Sequence, residues 1–231
     1  MFSSIFSGCP GEKVDLVFVL DASGSVQAEN FELMKEFMID FLKNADVDRG
    51  NVQVGVVVFS DIAHSFVDRE SFHMNEYARS SLVKTAIERI VYQNGPSTNT
   101  ARALEVMGTE MFTERHGDRP DVKNVAVVIT DGKSNNRGAT IRAANAARQA
   151  NIHIYAIGIG KTDRVMKQVS AELDGIASQP IEDNKFAVTE FSQLANLTDL
   201  LFVGFCEGEM CDYFLYHIMH TLFKSSCFED F

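Results

Sequence analysis

Four mostly apolar runs, rich in valine and isoleucine, recur at residues 14–20, 52–59, 125–130 and 152–159. Each is short and flanked by turn residues, so each reads as a strand buried on both faces of a sheet. Between them the apolar spacing turns helical. Phe31, Met34, Met38, Phe41 and Leu42 fall three or four apart and predict a helix over 28–43. Val83, Ala86, Ile87 and Ile90 predict a second over 75–91, and Leu104, Met107 and Met111 mark a third. The alanine-rich stretch 139–150 predicts a fourth, able to pack close to a sheet. A short fifth helix is expected over 163–173 with Asp163 as its cap. An edge strand over 184–188 and a final helix over 189–205 follow, the latter with Phe191, Leu194, Thr198 and Leu201 on one face. A short antiparallel partner for the second strand is expected over 63–67, reached through a turn at Ser60-Asp61.

Strands alternating with helices predict an α/β fold, doubly wound, with a mostly parallel sheet and helices on both faces. Pro10, Pro96, Pro120 and Pro180 all fall in expected loops or near a terminus, in agreement with this parse. The expected organisation is an N-terminal segment 1–13, one domain over 14–206, and a C-terminal tail 207–231. The tail stretch 213–223 is unusually apolar; it could pack on the domain, meet a partner or begin another module. No run reaches the roughly 20 apolar residues needed to cross a bilayer, so membrane insertion is not expected.

Candidate chemistry gathers on three loops. Asp21, Ser23 and Ser25 follow the first strand at alternate positions, with Gly24 inside the turn. Thr98 and Thr100 lie on the loop around Gly95-Pro96, and Asp131 closes the strand that ends at Thr130. In an open parallel sheet ligands bind at the carboxyl ends of the strands, near the reversal of strand order, where these loops can converge. Two carboxylates and three or four hydroxyls suit a hard divalent cation such as Mg²⁺ or Mn²⁺, which takes about six oxygen ligands. A cation held by so few protein charges would accept one more carboxylate from outside. The alternative is that Ser23 or Ser25 caps the first helix and that Thr98 and Asp131 are caps and turn formers.

The net charge of −11 and the lack of any basic stripe argue against nucleic acid as a partner. Cys9, Cys206, Cys211 and Cys227 all lie outside the body of the chain. Four cysteines allow three pairings; their placement favours a Cys9–Cys206 clasp and an oxidising compartment, with four reduced cysteines in a cytosolic protein as the alternative. Cys211 and Cys227 could pair, or one could link to another chain, and a zinc site with His217 and His220 matches no known spacing. No secretory signal is visible in the first eight residues, which lack a basic start and a long apolar run. Gly158-Ile159-Gly160-Lys161-Thr162 lacks the earlier glycine of a phosphate loop and the later glycine of a dinucleotide fingerprint. Neither a Gly-x-Ser-x-Gly elbow nor a His-Glu-x-x-His motif is present, and no nucleophile or base can be named, so an enzyme is not expected. Asn196-Leu197-Thr198 is a glycosylation sequon, usable if Asn196 faces out.

Three separated motifs carry a family resemblance: Phe18 to Val26 around Asp21-Ala22-Ser23-Gly24-Ser25, Ser97 to Leu104 around Thr98-Asn99-Thr100, and Val128 to Ser134 around Thr130-Asp131-Gly132. Together they resemble the von Willebrand factor A domain, in its extracellular-matrix branch of matrilins and type VI collagen. The resemblance covers about residues 14–205. It implies a six-stranded sheet of order 3-2-1-4-5-6 with one short antiparallel edge strand. It also implies a metal-ion-dependent adhesion site, with Asp21, Ser23, Ser25, Thr98 and Asp131 as the metal residues, Asp131 directly or through water. Ala101 or Arg102 stands where the family often has glycine, and Asn135 or Asn136 where it often has an acid; neither position is a family ligand. The implied protein is a secreted, non-enzymatic matrix module whose Mg²⁺ or Mn²⁺ binds an Asp or Glu of a partner such as collagen. Its competitors are a matrix-assembly module that self-associates without metal and an intracellular scaffold of the same fold.

Overall fold

A computed structural model describes residues 13–61, 71–160, 162–198 and 201. Its centre is a parallel sheet of five strands in the order β2-β1-β3-β4-β5. The strands are β1 (Val14–Asp21), β2 (Val52–Phe59), β3 (Lys123–Thr130), β4 (Ile152–Ile159) and β5 (Lys185–Val188). The helices are α1 (Ala28–Leu42), α2 (Ser80–Arg89), α3 (Thr100–Val106), α4 (Arg137–Gln149), α5 (Asp163–Ile176) and a single turn, α6 (Ile181–Asn184). A 3-10 helix, Phe191–Leu197, ends the regular structure among the described residues. With the expected 63–67 strand set aside, this order equals the expected 3-2-1-4-5-6. Residues 63–67 lie outside the described set. The antiparallel contact that β2 makes among the described residues is with Phe72, whose N–H and C=O pair with Val56 at 3.1 and 2.9 Å.

Alternation along the strands divides the core in two. Leu16, Phe18 and Leu20 face α1, α2 and the 3-10 helix, where Phe18 meets Phe37 and Phe41 edge-on at centroid distances of 6.3 and 5.6 Å. Such ring pairs add about 0.5–1.5 kcal/mol each beyond their buried area. Val17 and Val19 face the other layer, α3, α4 and α5, where Ala143, Ala144 and Ala147 let α4 approach closely. Between them the layers leave β1, β2 and β3 almost wholly buried, so the middle of the sheet is rigid and its loops start from fixed points.

Several boundaries differ from the sequence expectation. α2 starts at Ser80, not at 75, because Asp48 Oδ1 accepts the Ser80 N–H at 3.0 Å and Asn75 is held in a turn by the Arg115 carbonyl. The stretch beyond α3 widens into a π turn at Met107–Met111. α5 runs to Ile176, and its cap is Thr162 rather than Asp163: the Thr162 hydroxyl accepts from the Val165 N–H at 3.3 Å. The final helix is 3-10 over Phe191–Leu197 and α-helical at Thr198 and Leu201, opened by a reciprocal Glu190–Gln193 capping box, and Phe191, Leu194, Thr198 and Leu201 are all buried as expected. Gly158 and Gly160 owe their place to packing. A Cβ on Gly158 would overlap Val169 and come within 2.7 Å of Leu173, and one on Gly160 would sit 2.7 Å from the Met166 backbone. Close approach of α5 to β4, not a phosphate cradle, explains these glycines. All four cysteines, the proposed Cys9–Cys206 clasp and the tail fall outside the described residues.

Candidate metal centre

The first motif sits where β1 ends between its two neighbours. Leu20 lies beside Val58 on one side and Ile129 on the other, so Asp21 emerges next to Thr130 of β3. The Thr130 hydroxyl donates to Asp21 Oδ2 at 2.7 Å, and the Ser23 N–H donates to Asp21 Oδ1 at 2.9 Å. The Ser23 and Ser25 hydroxyls are 3.1 Å apart, and Ser25 donates to Asp131 Oδ1 at 2.8 Å. Asp21, Ser23, Ser25 and Asp131 therefore form one connected polar cluster, although Asp131 is 106 positions beyond Ser25.

Among the described residues, Thr98 makes no hydrogen bond to this cluster; its loop is tied to the other two by Gly95 and by Asn135. Ser23 and Gly95 pair in a short parallel bridge, with Gly24 N–H on the Gly95 carbonyl at 2.8 Å and Gly95 N–H on the Ala22 carbonyl at 3.2 Å. A Cβ at Gly95 would overlap the Ser60 side chain just beyond β2, so only glycine lets the second loop lie this close to the end of that strand. On its other side, Thr98 exchanges two hydrogen bonds with Asn135. Its N–H donates to Asn135 Oδ1 at 3.0 Å, and its carbonyl accepts the Asn135 N–H at 2.8 Å. The second loop is thus stitched to both of the others, with Thr98 and Thr100 buried beneath it.

The alternative capping roles are not what these residues do. α1 begins after Gln27, which makes no side-chain cap, and α3 is capped by Asn99, which accepts the Arg102 N–H at 3.4 Å. Ser23, Ser25 and Thr98 cap neither helix. Sequence reading had missed several supports. Thr130 holds Asp21, and Tyr92 donates to the Ser23 carbonyl at 2.7 Å while accepting the Gln27 N–H at 3.0 Å. Asn135 ties two loops together, and Asn136 caps α4 through the Ala139 N–H. Thr130 was detectable as the neighbour of Asp131; Tyr92 carried no local signal.

The electrostatics of the cluster favour a cation. Asp21 is fully buried, and burial pushes its carboxyl from the ordinary 3.8 up to about 6. The hydrogen bonds from Thr130 and Ser23 work against that rise, and the nearby Asp131 charge adds to it. Tyr92 is raised as well, first by burial, with the charges of Asp131 and Asp21 contributing. Among the described residues, no lysine or arginine pairs with Asp21, and no three His, Cys, Asp or Glu side chains gather into a metal cluster. What converges is two carboxylates with alcohol oxygens, a wholly hard donor set. That set fits a hard divalent cation such as Mg²⁺ or Mn²⁺.

A model of the von Willebrand factor type A domain matches residues 15–200. The chain belongs to that family. Among relatives of this von Willebrand factor A domain is chicken matrilin-1, 31% identical over 210 residues that span 90% of the chain and 40% of matrilin-1. The human collagen alpha-1(XXI) chain is 32% identical over 205 residues, 89% of this chain and 20% of that one. In structure it is similar to proximal thread matrix protein 1 of the mussel byssus, with a TM-score of 0.72 and 26% identity over 83% of this chain and 47% of that one. The chain thus spans less than half the length of each of these relatives. A second structure of the mussel protein, with a TM-score of 0.71, has zinc in its metal-ion-dependent adhesion motif. The matrilin and collagen relatives are non-enzymatic proteins of the extracellular matrix. No described helix is long and apolar enough to cross a membrane.

Proposed function

We propose that the chain is an extracellular adhesion module that holds Mg²⁺ or Mn²⁺ on Asp21, Ser23, Ser25, Thr98 and Asp131 and binds an acidic side chain of a matrix protein. The observation that carries this reading is Asp21, a wholly buried carboxylate close to a second one and joined to a run of hydroxyls, with no lysine or arginine paired to Asp21 among the described residues. A divalent ion there supplies positive charge and a coordination position that an outside Asp or Glu can fill. The chain's own residues fix the approach: Thr130 and the Ser23 N–H aim Asp21, while Gly95 and Asn135 hold the Thr98 loop against the other two. Collagen is the first partner to test, on the strength of the relatives alone.

The test is solid-phase binding of the full chain to collagen and to matrix extract, in Mg²⁺, in Mn²⁺ and in EDTA. Binding in either metal that EDTA and Asp21→Ala both abolish is the expected outcome. Asp21→Ala with unchanged partner binding refutes the reading. Self-association that sedimentation finds equal with and without EDTA, with no metal-dependent binding, assigns the domain to matrix assembly instead.

A further inference from the structure

The cation site makes no use of Asn196-Leu197-Thr198, the only Asn-x-Ser/Thr triplet in the chain. The triplet spans the end of the 3-10 helix Phe191–Leu197 and the residue after it. Phe191, Leu194 and Leu197 turn inward to the core layer that α1 fills, whereas Asn196 is exposed. Among the described residues, nothing hydrogen-bonds the Asn196 amide.

Thr198 is the informative residue. It is 6% exposed, and its Oγ1 is buried without a hydrogen-bond partner among the described residues. A helical threonine usually returns its hydroxyl to a carbonyl one turn back, and this one does not. A buried hydroxyl without a partner costs free energy, and valine has its shape without that cost. Among the described residues the fold thus gives no reason for an oxygen at this position. A reason exists before folding, because transfer of an oligosaccharide to asparagine needs a hydroxyl two residues on.

We propose that Asn196 is the acceptor of an N-linked oligosaccharide, a proposal that rests on the reading of the chain as extracellular. In the transfer, the Asn196 amide nitrogen attacks the anomeric carbon of a sugar chain carried on a lipid pyrophosphate. The new carbon–nitrogen bond forms as the carbon–oxygen bond to pyrophosphate breaks. The lipid pyrophosphate leaves with the electron pair, and the nitrogen gives up one proton to the transferase. Thr198 acts while the chain is still extended, and folding then buries it behind the finished glycan. The sugar excludes a partner or a second copy from the outer face of this 3-10 helix, while the loops bearing Asp21 and Asp131 stand at the ends of β1 and β3.

The test expresses the full chain in animal cells behind an added leader and treats the secreted protein with an amidase specific for N-glycans. A single glycan is expected, lost in Asn196→Gln and Thr198→Val and kept in Thr198→Ser. Unglycosylated Thr198→Val made in bacteria should melt at or above the wild-type temperature. A secreted wild-type chain without glycan overturns the proposal, and so does a Thr198→Val variant that melts below wild type, because its hydroxyl would then serve the fold. The leader makes these outcomes independent of where the native protein resides. Four free thiols in protein from its native source would instead refute the extracellular reading.

Discussion

Replacing Asp21 by asparagine separates two energies that oppose each other at the centre. The carboxyl of Asp21 rises from 3.8 to about 6 on folding, with burial as the main cause. At roughly 1.4 kcal/mol per pH unit, that rise lowers the stability of the metal-free fold by about 3 kcal/mol once both states are ionised. The sign follows from which state holds the proton. Above about 6 the folded chain carries a buried charge that the unfolded chain carries in water, and the full cost is present. As pH falls through about 6 the folded state takes up the proton first, and the cost shrinks until it is gone below 3.8. Asparagine removes the charge and keeps the shape. Its oxygen can accept from the Ser23 N–H, and its amide can donate to Thr130 Oγ1 as that hydroxyl turns to the Gly132 carbonyl, 3.4 Å away. In EDTA at pH 8, Asp21→Asn should therefore be more stable than wild type by about 1–3 kcal/mol, with the gap narrowing toward pH 5. Mg²⁺ should cancel or reverse that lead. At a hundred times its Kd it adds about 2.7 kcal/mol to wild type and far less to the variant. Urea denaturation followed by circular dichroism reads both arms. A variant less stable than wild type in EDTA at pH 8, or equally stabilised by Mg²⁺, refutes the reasoning.

Arg119→Ala leaves Asp15 buried without its counter-charge and strips donors from the carbonyls of Val14, Gly50 and Asn51. It should cost about 3–5 kcal/mol in urea denaturation and leave Mg²⁺ affinity unchanged; a loss under about 1 kcal/mol contradicts this. Gly95→Ala drives a methyl into Ser60 and should push the Thr98 loop off the cluster. Calorimetric titration should then show Mg²⁺ binding weakened by about tenfold or more, equal to about 1.4 kcal/mol, and unaltered binding would show that the loop is not needed. Glu172, buried on α5, accepts from Ser134 of the Asp131 loop and lies 3.9 Å from Arg137. Glu172→Ala should lower stability by about 2 kcal/mol and weaken Mg²⁺ severalfold, so a change in stability alone would place Glu172 outside the centre's support.

The strands were legible because a sheet buried on both faces leaves no polar alternation to misread. Val125 to Ile129 are all buried, and so are Val54 to Phe59. The loops of Asp21 and Asp131, which the structure brings together, were legible for a related reason, since a carboxylate at the end of such a strand has few structural uses; the Thr98 loop follows α2 and carries no carboxylate. What stayed hidden was set by contacts between distant residues. No local rule stops α2 at Ser80, because the group satisfying its first turn is Asp48, 32 positions earlier. Tyr92 supports the Ser23 carbonyl from 69 positions away. Thr162 rather than Asp163 caps α5 because both can cap, and only the backbone decides which one stands at the boundary. Gly158 and Gly160 resemble a ligand loop in one dimension and prove to be clearance for Val169, Leu173 and Met166 in three.

Strand β1 carries two fully buried aspartates, Asp15 near its start and Asp21 at its end, about 20 Å apart at 3.3 Å per residue. Burial raises the pKa of both. The chain answers the two costs differently. Asp15 receives the Arg119 Nε at 2.8 Å and the Arg119 N–H at 2.7 Å, so its counter-ion is built in. Asp21 receives a hydroxyl and one N–H, and a second carboxylate stands near enough to worsen its position. Were the cluster only a structural joint, an arginine at the upper end would serve as Arg119 does at the lower. The hydroxyls of Ser23 and Ser25 are ligand oxygens without charge, so they can surround a cation without neutralising it. An ion bound there keeps its attraction for an anion outside, which a built-in guanidinium, satisfied on every side like that of Arg119, would lack. On the proposed reading, the difference between the two ends of one strand is therefore the difference between a bond that closes the fold and a charge left for a partner to complete.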